Sequence, residues 1–293
     1  MGEEPFASGP GVPGAPKRRM RAAAAFALLS GLLTGLGGSA RAELELIPER
    51  VPQAVFAGGK RLVSVKIRNP AALAIQAQLR SRIYQASAAT LAPLEGIRPW
   101  KALSLPAGQT AVESFEAEIP QVRGETAFQI VFFEDEKQLG SIQLRAFPHD
   151  LLKALPTLAG AQPVGVMDPD AQLEPTLKLF PTTRFNEVED LSASEATLII
   201  IAPMSARSQP PGLAAAVKKK AANGAAIVWI QSASRESVFC TYLVPEGSGR
   251  IVVAPASAIA DFSDSPRAQL NLVWLGELAT GKKTLELPAD PSP

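Results

Sequence analysis

Asp168 and Asp170 follow the short apolar run Pro163 to Met167, and two carboxylates at a strand end can divide nucleophilic and proton-transfer work between them. Turn chemistry explains the pair better, with Asp170 accepting hydrogen bonds from the first amides of a helix that carries Leu173. Ser205 and Arg207 follow a second apolar run, Thr197 to Ala202, and Gln231, Ser232 and Arg235 follow a third, Ala225 to Ile230. If the three runs are parallel neighbours, all seven side chains gather beyond their carboxyl ends, where open α/β sheets bind ligands. Arg207 and Arg235 would then be anion contacts and Asp168 a hydrogen-bond acceptor. The set reads as a ligand-binding site, with no catalytic residue, metal ligand or cofactor assigned. The sequence holds one histidine, His149, and one cysteine, Cys240. A Ser-His-Asp set, a Cys-His pair or a Cys/His zinc site must run through His149 or do without histidine. Pro148 and Pro156 bracket His149, which reads as an exposed linker side chain or an interdomain hydrogen-bonding group. Cys240, beside Val238, Phe239 and Leu243, reads as a small buried hydrophobe, without a disulfide partner in the chain.

The elements that must position these residues fall into two rhythms. From 43 to 147 the pattern has period two: Val63, Val65 and Ile67 alternate with polar residues, as do Ile75, Ala77, Leu79, Ser81 and Ile83. Phe115, Ala117 and Ile119, then Ile142, Leu144 and Ala146, repeat it, and turn signals fall at Gly58-Gly59, Asn69-Pro70, Pro106-Ala107-Gly108 and Arg123-Gly124. About seven short strands without a helix predict an immunoglobulin-like β-sandwich. Residues 148–160 read as a linker or a packed helical turn. From 161 to 286 strands and helices alternate, which predicts an open, mainly parallel α/β sheet. A helix carrying Leu173, Leu177 and Phe180 on one face is expected there, then one from Pro211 to Ala222 closed by Asn223-Gly224. A last helix is expected to place Leu270, Val273, Trp274 and Leu278 on one side. Core packing is the expected role of Trp229 and Trp274. Residues 287–293 read as a disordered tail.

At the start, Lys17, Arg18, Arg19 and Arg21 precede an apolar run from Ala22 to Leu36 and the triplet Ala40-Arg41-Ala42, the layout of a secretory signal. Cleavage is expected after Ala42, by general secretion, leaving no stable membrane anchor: the run is shorter than the roughly 20 residues of a spanning helix. No cysteine follows it for lipidation. Loss of residues 1–42 removes five of 29 basic and two of 28 acidic residues and leaves 24 against 26, a balance that asks for no nucleic acid. The expected partner is an envelope protein or a small anionic ligand. Lys218 to Lys220 suit the carbonyl end of a helix. No glycine-rich phosphate loop is present, and the three tryptophans are too dispersed for a carbohydrate platform.

Val166-Met167-Asp168, then Ala196 to Pro203, then a helix ending in glycine before Ala225 to Ile230, resembles the class I glutamine amidotransferase-like fold, over about a quarter of the chain. The resemblance implies a flavodoxin-like sandwich. Active members carry Gly-x-Cys-x-Gly after the third strand, with a later His and Glu. Here Ile230-Gln231-Ser232-Ala233-Ser234 stands in that place and no histidine follows. A glutaminase thioester cannot form in the family's manner, and the domain is read as a non-catalytic relative. Asp168-Pro169-Asp170 also resembles the paired aspartates of haloacid-dehalogenase-type phosphatases. That alternative makes the protein a Mg²⁺-dependent phosphoester hydrolase, with Ser205, a lysine among 218–220, and Asp261 and Asp264 completing the site. Ala171-Gln172 replaces the usual continuation.

Overall fold

The computed structural model describes residues 44–174, 176–232 and 241–284. The segment read as a secretory signal, Ser234, Arg235, Cys240 and the tail lie outside them. The described chain is mostly β-sheet, in three sheets with few helices. β1 (Glu45–Ile47), β3 (Gly59–Arg68) and β7 (Thr110–Ile119) pair antiparallel in that spatial order. A second sheet runs β2 (Gln53–Phe56), β9 (Lys137–Phe147), β8 (Thr126–Glu134), β4 (Ile75–Ala86), with β5 (Leu91–Pro93) and β6 (Arg98–Leu105) both on the remaining side of β4. It is antiparallel except where β2 lies parallel to β9.

The period-two pattern decides which residues fill the space between these sheets. Val63, Val65, Ile67, Leu79, Ile83, Phe115, Ile119, Leu144 and Ala146 all belong to one buried cluster fed by both sheets. Trp100 packs edge-on against Phe115 and tilted over Phe132 at its margin. Asn69 is fully buried yet satisfied: its amide nitrogen donates to the carbonyls of Leu73 and Leu105 at 2.8 and 2.9 Å, and its side-chain oxygen accepts from Ala71 N–H at 2.9 Å. It ties the turn after β3 to the end of β6.

The third sheet contains β10 (Val164–Met167), β11 (Thr182–Arg184), β12 (Leu198–Ile201), β13 (Ala226–Gln231), β14 (Tyr242–Glu246) and β15 (Gly249–Pro255). Its order is β11-β10-β12-β13-β15-β14, parallel except for β14 on β15. The continuous apolar run Leu198-Ile199-Ile200-Ile201 is buried on both faces, as a central parallel strand must be. On one face Val166, Leu198, Ile200 and Val228 meet α1 (Ala154–Ala159) and α4 (Pro266–Ala279). On the other, Ile199, Ile201 and Ile227 meet α2 (Val188–Ala193) and α3 (Leu213–Ala222) through Leu191, Leu213 and Val217. Order 2-1-3-4-5 for the parallel strands reverses direction between β10 and β12, which places a crevice at their carboxyl ends. All described residues belong to one compact unit, Ala42–Pro293.

Three local expectations need correction. No α-helix carries Leu173, Leu177 and Phe180; only Leu177 lies in a helical element, the 3₁₀ turn Thr176–Leu179, yet all three side chains reach the core. Pro175 and Pro181 leave too few residues between them for an α-helix. On α4 the buried face is Ala268, Leu272, Leu275 and Leu278, whereas Leu270 and Val273 are half-buried and Trp274 is exposed. The helix starts at Pro266, capped by the Ser265 hydroxyl accepting from Ala268 N–H at 3.2 Å, and that start sets the phase of its face. Within 148–160 the linker alternative gives way to the packed-turn one: Leu152 and Leu155, on short helical turns, are fully buried against the third sheet and its helices. Among the described residues no helix is long and apolar enough to cross a membrane.

Candidate functional site

The carboxyl ends of β10, β12 and β13 lead into loops that carry Asp168, Asp170, Ser205, Arg207, Gln231 and Ser232, and of these Asp168, Asp170, Ser205 and Ser232 are already engaged. Asp168 ends the first strand and turns back on its own loop: its two carboxylate oxygens accept from the amides of Gln172 and Leu173, both at 2.8 Å. The capping role expected of Asp170 therefore falls to Asp168. Asp170 instead crosses to the loop after β12, where it accepts from Ser205 N–H at 2.8 Å and from the Ser208 hydroxyl at 2.5 Å. These two donors, the Ser208 hydroxyl first, hold the Asp170 carboxyl below the usual carboxylate range. The Ser205 and Ser208 hydroxyls lie 2.8 Å apart, and Ser205 Oγ also accepts from Ser208 N–H at 3.2 Å. Ser232, after β13, donates its hydroxyl to the Met204 carbonyl at 2.7 Å. The three loops are thus stitched together, β10 to β12 through Asp170 and β12 to β13 through Ser232.

Asp168 shares a small pocket with Glu174, which pairs with Arg184, and no cluster of described residues forms around the two aspartates. No set of three or more His, Cys, Asp or Glu side chains able to hold a metal ion occurs among the described residues. Asp261 and Asp264 instead belong to the turn before α4, where the Asp261 carbonyl accepts from the amides of Asp264 and Ser265 at 2.9 and 2.8 Å. The lysines at 218–220 lie at the end of α3, a crossover that runs back from the carboxyl edge of β12 to the start of β13, so they stand at the opposite edge of the sheet. Lys220 there donates to the Ser194 carbonyl. The phosphoesterase arrangement is not assembled by these side chains.

His149 sits elsewhere. Its ring stacks on Phe56 with centroids 4.7 Å apart, and Nε2 lies 3.1 Å from the Ala57 carbonyl and 3.2 Å from the Arg61 guanidinium. The nitrogen faces an acceptor and a donor and engages one at a time, according to its tautomer. This is the hydrogen-bonding role read for it.

What remains open at the sheet edge is a cavity of about 300 Å³ lined by Met204, Ala206, Gln209, Trp229, Ile230, Gln231 and Ser232. It exists because β13 outlasts β12: Trp229 is paired with Ile201, the last residue of β12, while Ile230 and Gln231 run on beside β15. Pro203, lacking an N–H, follows directly and the chain turns away. Of the seven expected residues, only Gln231 and Ser232 line this space. Asp168 lines a separate pocket of about 50 Å³ with Glu174, Arg184, Phe185 and Asn186, in which Glu174 and Arg184 pair. Arg207 is exposed and forms no wall of the cavity, so it does not supply the expected anion contact there; Arg235 lies outside the described residues. The residues missed from sequence are Met204, Gln209 and Trp229. Trp229 was legible in one respect, since it shares a strand face with Gln231 two residues on.

No protein-family model matches the chain, and no curated protein matches it. Among solved structures, β-glucosidase from Listeria innocua is similar at 16% identity over 36% of this chain and 16% of its own, with a TM-score of 0.28. The alkylpurine DNA glycosylase AlkC of Pseudomonas fluorescens, bound to DNA, is similar at 20% identity over 38% and 32%, with a TM-score of 0.29. The β-glucosidase EmGH1 of Erythrobacter marinus gives 16% identity over 36% and 15%, and 0.28. This chain spans less than a third of each, and likeness at this level carries neither fold nor function across.

Proposed function

We propose that the protein is an exported, non-catalytic recognition or assembly protein of the bacterial cell envelope, built from an immunoglobulin-like sandwich and an amidotransferase-like α/β part. The two clusters of strands with separate cores, and the 2-1-3-4-5 order of the parallel strands, support this architecture. One observation carries the functional reading: the carboxylates and serine hydroxyls of the sheet edge are already engaged in hydrogen bonds. Asp168 and Asp170 are occupied by backbone and serine donors, Ser232 by a carbonyl, and the one histidine stacks on Phe56. Among the described residues Ser208 has only Asp170 beside it as a base, a carboxylate held below its usual range and so a weak one, and a carboxylate consumed by two amides, as Asp168 is, makes a poor nucleophile. What is left is shape and hydrogen-bonding capacity, which serve binding a small ligand or an envelope partner.

Two measurements test the reading. Mature protein secreted by a bacterial host should begin at Glu43 by N-terminal sequencing, and an uncleaved start would remove the export step. The same material, assayed with glutamine and with p-nitrophenyl phosphate plus Mg²⁺, should release ammonia and nitrophenol at buffer rates. Turnover lost on Asp168→Asn would establish a hydrolase in its place.

A further inference from the structure

The cavity beside β13 has hydrogen-bonding groups that no described residue engages. Trp229 and Gln231 leave the same face of the strand, toward α3, and Gln209 faces them from the loop that leads into that helix. The indole N–H of half-buried Trp229 and the carboxamides of Gln209 and Gln231 form no hydrogen bond with any described residue. Met204, Ala206 and Ile230 supply apolar wall, and none of the described residues lining the space is ionisable.

We infer that this cavity binds a small uncharged ring bearing several hydroxyl or amide groups, a ligand of the sugar class. The inference rests on the recognition reading above and adds the chemistry of the ligand. Size comes first: about 300 Å³ is at the lower end of small-molecule pockets, enough for one or two rings. Charge comes second, because an anion or a zwitterion entering here would give up hydration with no opposite charge among the described lining residues to receive it. Hydrogen-bond character decides between the remaining neutral ligands. Each carboxamide presents a donor and an acceptor side by side, as a hydroxyl does, so two of them match vicinal hydroxyls or an acylamino group. A carboxylate or phosphate would use their NH₂ groups and leave their oxygens facing another acceptor. The indole adds one more donor and a flat apolar body against which the C–H face of a sugar ring can lie.

The test is saturation-transfer NMR on the mature protein with glucose and N-acetylglucosamine as uncharged probes, and glucuronate and glutamine as charged ones. Transfer to at least one uncharged sugar is expected, weakened about fivefold in Gln231→Ala, the loss of one hydrogen bond. Gln209→Ala, in an exposed loop, gives a second variant that keeps the strand intact and should weaken binding similarly. Absence of transfer to both uncharged sugars overturns the inference, as do undiminished transfer in both variants and tighter binding of glucuronate or glutamine. These results leave the recognition reading standing; only turnover in the hydrolysis assays removes that reading.

Discussion

Asp170 shows how far a single side chain can be read from its neighbours in sequence. The Asp-Pro-Asp triplet was legible as strand-end chemistry, and a carboxylate capping the following amides was expected. The cap is Asp168, because its two oxygens reach Gln172 and Leu173, while Asp170 spans to Ser205 and Ser208 on another loop. That cross-loop bond depends on β10 and β12 being neighbours, which local spacing does not encode. It has a pH signature. A carboxyl held below its ordinary value in the folded state contributes stability above the unfolded value, near 3.9, and loses it as pH falls through the folded value. Urea midpoints followed from about pH 5 to pH 2 should therefore fall more steeply for the natural protein than for Asp170→Asn.

Among the elements, strands were more legible than helices, for a physical reason. A strand's inward set is fixed by parity alone, so Val63, Val65 and Ile67 could be assigned without knowing where β3 begins. A helix face turns by 100° per residue and must be phased against its partner. On α4 an apolar set including Leu270 and Trp274 was plausible, yet the helix buries Leu272, Leu275 and Leu278. Leu272→Ala should cost about 2–5 kcal/mol in chemical unfolding, the range for a fully buried leucine, and Leu270→Ala distinctly less. Equal losses would mean that the two faces pack alike. The same limit applies to the site: Gln231 and Ser232 follow from the strand's position, but Met204 and Gln209 belong to a loop whose path only the tertiary structure defines.

On the scale of the whole molecule, the first described strands act as a clasp between two sheets. β1 pairs with β3 in one, and a few residues later β2 pairs with β9 in the other. Gln53 holds both at once: its side-chain oxygen accepts from Ser64 N–H of β3 at 3.0 Å and its nitrogen donates to the Ser64 carbonyl at 2.7 Å. Deleting residues 43–56 should therefore abolish cooperative unfolding of the strands from β3 to β9, as read by circular dichroism during a urea titration, instead of trimming an end. The pairing of Phe56 with Phe147 has a temporal side too. A ribosome delivers β2 early and its partner β9 late, so β2 stays single while β3 to β8 are being made, and contacts this distant in sequence close slowly. During that interval its Val55-Phe56 edge is exposed to any other unpaired strand, which makes the beginning of the chain the place where a holding chaperone would matter most.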